Sequence, residues 1–266
     1  MTTLRDLYQR HHSIYGSVPP LAHANTCPVC LGVRGAGYTR CAGCSKAGLE
    51  RHVGTGPTGV LVALSTAFED GGSQASSQND PLVAWYRALR GYKRSDAEYD
   101  EHHEKLVGIL GVGMHIHADR LADLLGGPAD RACIVPSKQE RFRTQERVIE
   151  QPLHRVVQRI QLPREMRLLP TLVHSGRELR HEVDPSAFTC IDASVRGERV
   201  VLIDDSLVSG GSAASARASL LSAGAESVMV VTAARVVRPD FARDIGADGY
   251  LDAARMPHDA ERWMRE

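Results

Sequence analysis

The chain has 266 residues, 42% of them hydrophobic, and its 32 basic and 32 acidic side chains cancel to a formal charge of zero. That length accommodates one large domain and a small one, and the balanced charge excludes a general attraction to nucleic acid or to an anionic membrane. No apolar run reaches spanning length and the start, Met1-Thr2-Thr3-Leu4-Arg5-Asp6, is polar, so the expected location is cytoplasmic, with no membrane partner.

Residues 1–20 read as a short helix ending at Ser17-Val18-Pro19-Pro20. Residues 21–50 carry Cys27-Pro28-Val29-Cys30 and Cys41-Ala42-Gly43-Cys44, two C-x2-C pairs with ten residues between them. Each pair can wrap one metal in a tight turn, and the gap suits a short hairpin. Four thiolates favour tetrahedral Zn²⁺, and Gly32, Gly35, Gly37 and Gly43 supply the turns. An iron–sulfur site and a redox dithiol are the rivals, but a redox motif has a single C-x-x-C beside a βαβ unit. A closed four-thiolate site has no open position, so its expected role is structural or docking. Cys133 and Cys190 lie in apolar runs and read as small core residues.

Gly54-Thr55-Gly56-Pro57-Thr58-Gly59 is a junction. It divides the chain into residues 1–54, an N-terminal helix with a four-cysteine zinc-ribbon module, and residues 55–266. Val60–Ser65 is a strand and Glu69–Asp80 a mobile loop. Asp80-Pro81 opens a helix that runs to about Tyr92. Apolar residues from Leu106 to Leu125 predict a longer helix over Asp100–Leu125. His102, His103, His115 and His117 fall within it, and His115 and His117, two apart, face different sides. Ala132–Val135 is the next strand, and Arg141–Ile160 is mainly helical with an interruption near Pro152. Leu168–Val173, Phe188–Ile191, Val200–Ile203 and Ser227–Ala233 are runs of strand length. Ala213–Ser222 and Leu251–Arg265 read as helices. Strands alternating with helices predict an α/β fold, an open, mainly parallel sheet with helices on both faces.

Val200-Val201-Leu202-Ile203-Asp204-Asp205 places two carboxylates at the end of a buried strand. The small loop Ser206-Leu207-Val208-Ser209-Gly210-Gly211-Ser212 follows, and then a helix. Unpaired amides at a helix start bind phosphate, and glycine lets the backbone come close. Carboxylates repel phosphate but accept hydrogen bonds from sugar hydroxyls, or hold Mg²⁺ partly through water. The plainer alternative is a strand end and a helix cap. No G-x-x-x-x-G-K-[ST] loop is present, and no G-x-G-x-x-G stands between an early strand and a helix. In an open parallel sheet the loop after Val135 faces the same crevice. It reads Pro136-Ser137-Lys138-Gln139-Glu140-Arg141-Phe142-Arg143, with one of only four lysines in the chain. Lys138, Arg141 and Arg143 equip it for a diphosphate; an ordinary solvated charged loop is the other reading.

The Asp204–Ser212 segment resembles the phosphoribosyl-diphosphate (PRPP) signature of type I phosphoribosyltransferases. The order of segments over Cys27–Arg235 is similar to the ComF-like family, tied to competence and DNA uptake in some bacteria. It comprises the cysteine block, Tyr86–Lys93, Val135–Arg143, Arg177–Phe188 and Gly197–Asp205. The resemblance implies a phosphoribosyltransferase-like sheet domain over 55–266. Asp204 and Asp205 would hold the ribose hydroxyls, Ser206–Ser212 the 5′-phosphate, and Lys138 and Arg141 would assist departure of diphosphate. The implied reaction is Mg²⁺-dependent transfer of the phosphoribosyl group to an amine or nucleobase, with Glu69–Asp80 or Arg143–Gln151 closing over it. Ser206 and Val208 depart from the signature's valine and threonine. The family's Arg-Gly-Phe-Asn-Gln segment is met only by Arg141-Phe142-Arg143-Thr144-Gln145. Those departures motivate an alternative: a PRPP-sensing or uptake-associated protein without transfer activity, its zinc module docking a protein or a nucleic acid. Arg34, Arg40, Lys46 and Arg51 are the only cations of that module, a thin nucleic-acid footprint. A homodimer stays open.

Overall fold

The computed structural model describes residues 3–70, 79–94, 100–163, 166–179 and 182–261. Helix α1 (Leu4–His11) begins at a capping box, with Thr3 Oγ1 accepting from Asp6 N and Asp6 accepting from Thr3 N. The second cysteine pair opens α2 (Ala42–Ala47), and α3 (Glu50–Val53) follows. The ten residues between the pairs form turns instead of a hairpin, and the pairing nearest them is one antiparallel bridge, Thr26 to Val33.

The first expected strand is two pieces, β1 (Leu61–Ala63) and β2 (Thr66–Phe68). At the break the buried Ser65 hydroxyl donates to Ala233 O at 2.6 Å and accepts from the Trp85 indole N–H at 2.9 Å. Of the expected loop at 69–80, residues 71–78 lie outside the described residues. Asp80 caps α4 (Pro81–Gly91), accepting from Leu82 N, with proline at the first position. Asp100 caps α5 (Glu101–Ile116) at His103 N. The chain turns at His117 and continues as α6 (Ala118–Leu125), so the single helix expected over 100–125 is two. Gly108 lets α1 lie close on α5: a Cβ there would stand 3.1 Å from Tyr8 N and 3.2 Å from Leu7 C.

After β3 (Arg131–Ile134) come α7 (Gln145–Val148) and α8 (Pro152–Gln158), with Pro152 as the first helical residue. The run expected as one strand over 168–173 divides at Pro170. β4 (Arg167–Leu168) joins the main sheet, and β5 (Leu172–His174) pairs antiparallel with β6 (Phe188–Cys190) in a small second sheet. Then follow β7 (Arg199–Leu207), α9 (Gly211–Ser222), β8 (Ser227–Val237), α10 (Pro239–Asp244) and α11 (Asp248–Ala254). The closing helix expected over 251–265 therefore ends at Ala254, just before Pro257, which cannot continue it; residues 262–266 lie outside the described residues.

The main sheet is parallel throughout, in the order β1-β8-β7-β3-β4, with β2 also on β8. From β3 the chain moves outward to β4, then returns to β7 and on to β8. The order therefore reverses between β3 and β7, and the carboxyl ends of those two strands flank a switch-point crevice. Val200, Val201, Leu202 and Ile203 are all fully buried, as expected of a strand covered on both faces. Val201, Ile203, Met229 and Ile134 pack with residues of α1, α4, α5, α6 and α8. Val200, Leu202, Val228 and Cys133 pack with α9, the small sheet and the cysteine module. The core thus runs across residue 54: Leu7 and Tyr8 belong to the first cluster, Cys27, Cys30 and Leu49 to the second. No helix among the described residues is long and apolar enough to cross a membrane.

Candidate functional site

Strand β7 runs through both acids to Leu207. Alternation along the strand sends successive side chains to opposite faces. Asp205 falls on the face of Val201 and Ile203, under the end of α4. It is 4% exposed, and its Oδ2 accepts from the Tyr92 hydroxyl at 2.5 Å and faces Lys93 Nζ at 2.5 Å. Its Oδ1 accepts from Ser206 Oγ at 2.9 Å. Asp204, half-buried, accepts from Asp205 N through Oδ1 at 2.9 Å. Burial, and then the Asp205 charge, push the Asp204 carboxyl up to about 8. Burial and the Asp205 carboxylate also hold the Tyr92 phenol well above its ordinary value. For Lys93 burial works against the charge, but the Asp205 carboxylate outweighs it and the ammonium is stabilised. The pair of acids is therefore split, Asp205 compensated by a cation and Asp204 inclined to keep its proton near neutrality.

Beyond Leu207 the chain leaves the sheet. Val208 and Ser209 are exposed, and Gly210 turns in the left-handed region at φ +81° to start α9. A side chain at Gly210 would be strained there, and its Cβ would meet Leu49 Cδ2 at 2.8 Å. Among the described residues no side chain caps α9, so its first-turn amides are available to an anion.

Asp204, Asp205, Ser206–Gly210 and Ser212 line one side of a cleft of about 500 Å³. Val135, Pro136, Ser137, Lys138 and Gln139 line the other, with Gln151 and Phe142 behind them. Gln151 Oε1 accepts from Ser137 N at 2.8 Å and fixes that loop. The cleft thus brings together the two acids, the small loop and the first part of the basic loop, as the sequence places them. It leaves out Arg141 and Arg143. Arg141 is exposed, donates to Gln139 Oε1 at 3.0 Å and lies over the Phe142 ring. Arg143 donates to Lys138 O at 3.3 Å and packs against Gly176.

Sequence pattern gives Tyr92 and Lys93 only a place in the Tyr86–Lys93 segment and Gln151 only the end of the Arg143–Gln151 stretch, with no contact to the acids or to the basic loop. Lys93 carries a usable signal: it is one of four lysines in an arginine-rich chain, and with Lys138 it places two of the four at this cleft. Residues 180–181 of the basic stretch 177–188 lie outside the described residues.

Cys27, Cys30, Cys41 and Cys44 form a second cluster, their sulfurs all within 4.8 Å of one another. Cys27 Sγ and Cys44 Sγ are 3.8 Å apart, and Cys30 Sγ and Cys41 Sγ 3.6 Å. A tetrahedron with metal–sulfur bonds of about 2.3 Å has edges of about 3.8 Å, so the donor set fits one Zn²⁺. Cys41 N donates to Cys27 Sγ and Cys44 N to Cys41 Sγ, each at 3.4 Å, which orients the sulfurs. Three of the four are buried, in keeping with a structural centre. Cys133 and Cys190 stand apart from it. Burial pushes the Cys133 thiol up to about 12, and Cys190 Sγ donates to Asp192 O.

Comparison of the chain with protein-family models, with curated proteins and with solved structures gives no match.

Proposed function

We propose that this chain binds PRPP in the β3–β7 crevice and transfers its 5-phosphoribosyl group to an amine or nucleobase. The observation that carries this reading is that one cleft joins paired acids, an uncapped helix start with a glycine turn, and a lysine-bearing loop on the facing wall. The amides of Gly211–Ala213 and the hydroxyls of Ser209 and Ser212 would receive the 5′-phosphate. Asp204, protonated, would donate to one ribose hydroxyl, and Asp205 would accept from another where that hydroxyl displaces Lys93 or Ser206 from its oxygens. Lys138 would meet the diphosphate.

In transfer the bond from ribose C1 to the diphosphate oxygen breaks, and diphosphate leaves with the electron pair. A bond from the acceptor nitrogen to C1 forms, and the acceptor proton passes to solvent. Asp205 would stabilise the positive charge that develops on the sugar ring. Mg²⁺ bound with the ligand would supply charge neutralisation for the leaving diphosphate. The Lys93 ammonium already stands against Asp205, so that carboxylate does not present a cation site of its own.

Calorimetry with PRPP and Mg²⁺ tests the reading. Saturable binding that is lost in Asp205→Asn, with diphosphate release in an acceptor panel, is expected; no heat at millimolar PRPP would overturn it. Binding without diphosphate release would favour the second reading, a sensor that performs no transfer. The position of Arg141 away from the cleft supports that one.

A further inference from the structure

Arg235 lies on β8 opposite Leu207 of β7, between the cysteine cluster and the loop after the two acids. It is 7% exposed. Its Nη1 donates to Leu207 O at 2.9 Å and to Val208 O, the carbonyls from which the chain leaves the sheet toward Gly210. The other side of the guanidinium lies flat against Gly32, two residues past Cys30, where a Cβ would overlap Nη2, Nε and Cζ. Its Nε has no partner among the described residues. Burial disfavours the charge, and the neighbouring Cys30, Tyr250, Cys41 and Cys44 favour it. The same module touches the far end of the loop, where Leu49 packs on Gly210. One buried cation therefore has the metal-binding turn on one face and the loop carbonyls on the other.

We infer that Arg235 is a positioning residue that couples Zn²⁺ occupancy of the four-thiolate cluster to the shape of the 207–212 loop. Four thiolates around one Zn²⁺ carry two net negative charges, and Arg235 is the buried counter-charge beside them. The turn from Cys27 to Gly32 is closed by Cys27 N donating to Gly32 O and by the Tyr250 hydroxyl donating to Leu31 O, and two sulfurs converging on the metal would fix its position against the guanidinium. That turn is the wall that keeps the guanidinium on the two carbonyls. Loss of the metal frees the wall, the fork loses its alignment, and the loop loses its anchor. The loop's use as a phosphate cradle rests on the function proposed above; the coupling itself does not.

The test uses full-length protein with and without its zinc, in the wild type and in Arg235→Met. Hydrogen exchange of the 207–212 amides is read against that of β3, and zinc content is measured in parallel. Inorganic phosphate and ribose 5-phosphate are titrated as probes. Zinc removal in the wild type should speed loop exchange about tenfold, the scale of one charged hydrogen bond, and β3 clearly less. In Arg235→Met the loop should already be fast with zinc still bound, and zinc removal should change it less than about twofold, the non-additivity of a coupled pair. Gly32→Ala, which crowds the guanidinium and spares the ligands, should retain one zinc and give the fast loop. Equal zinc effects in wild type and Arg235→Met, or β3 loosening as much as the loop, would overturn the inference. If neither probe binds while the exchange pattern appears, the coupling stands and the sugar-phosphate reading falls.

Discussion

The Lys93 ammonium lies 2.5 Å from the carboxylate of Asp205, which β7 buries beneath the end of α4. The Tyr92 hydroxyl meets the same oxygen. An aspartate expected to face a sugar is thus also an internal anchor, joining the sheet to the helix layer. Lys93→Met leaves a buried carboxylate with Tyr92 and Ser206 as its remaining side-chain partners. Because the lysine side chain is 44% exposed, the cost should be about 1–2 kcal/mol, below that of breaking a fully buried pair. Urea unfolding measures it. Asp205→Asn in the Lys93→Met background should recover part of the loss, since it removes the stranded charge.

Asp204 gives the pH dependence. Its carboxyl sits at about 8 in the folded protein against about 4 when unfolded. Between those values the folded state holds a proton that the unfolded state has released, so this group lowers stability as pH rises through the interval and levels off above 8. Asp204→Asn, neutral throughout, should be more stable than the wild type at pH 8 by on the order of 2 kcal/mol. Near pH 4 the two should converge. Thermal melts across pH 4–9 give the comparison, and parallel curves would contradict the split between the acids.

The cysteine centre should carry one zinc per chain. Chelation should lower the melting midpoint by about 2–3 °C, the scale of about 1 kcal/mol, because the sulfurs share a core with α9 and β7. Cys44→Ser should reproduce the loss. A chelator that strips the metal with no change in midpoint would show that the module's packing stands without it.

Gly210→Ala places a side chain at φ +81° and drives its Cβ against Leu49. The expected cost is about 1–3 kcal/mol in stability, and affinity for ribose 5-phosphate should fall at least about tenfold, since the loop amides move together. Equal affinity in the variant would remove the loop from the phosphate site.

Lys138 stands on the facing wall, and under the proposed reading it touches only the diphosphate. Lys138→Ala should weaken PRPP about tenfold and leave ribose 5-phosphate unchanged. A loss shared equally by both ligands would place Lys138 elsewhere.

The architecture was legible where residue pattern and burial agree. Val200–Ile203 reads as a doubly covered strand, and its apolar run is what the sheet interior requires. Asp80-Pro81 marks the α4 start because cap and proline act locally. The cysteine spacing foretells the sulfur cluster for the same reason, each pair closing its own turn. The short edge elements were harder. Nothing local divides residues 60–68 into β1 and β2, since the pairing lies on β8 more than 160 residues away in sequence. The helix α2 grows from the second cysteine pair, where only a tight turn was expected, because Cys41 Sγ accepts from Cys44 N and caps it. Tyr92 and Lys93 reach Asp205 across 113 and 112 residues of chain, a contact visible only once α4 docks. Arg141 and Arg143 illustrate the reverse: proximity in sequence to Lys138 did not bring them to the cleft, as the turn at 140–142 carries them outward.

Trp85 is fully buried and donates to Ser65 where the edge of the sheet steps from β1 to β2. Its indole is thus a built-in optical gauge of that seam, dark to water while the helix layer is seated and red-shifted once α4 lifts. The same helix carries Lys93 to the crevice, so with Trp263, the other tryptophan, replaced by phenylalanine a fluorometer would register slackening at the sheet's edge and a stranded acid at its centre as one event.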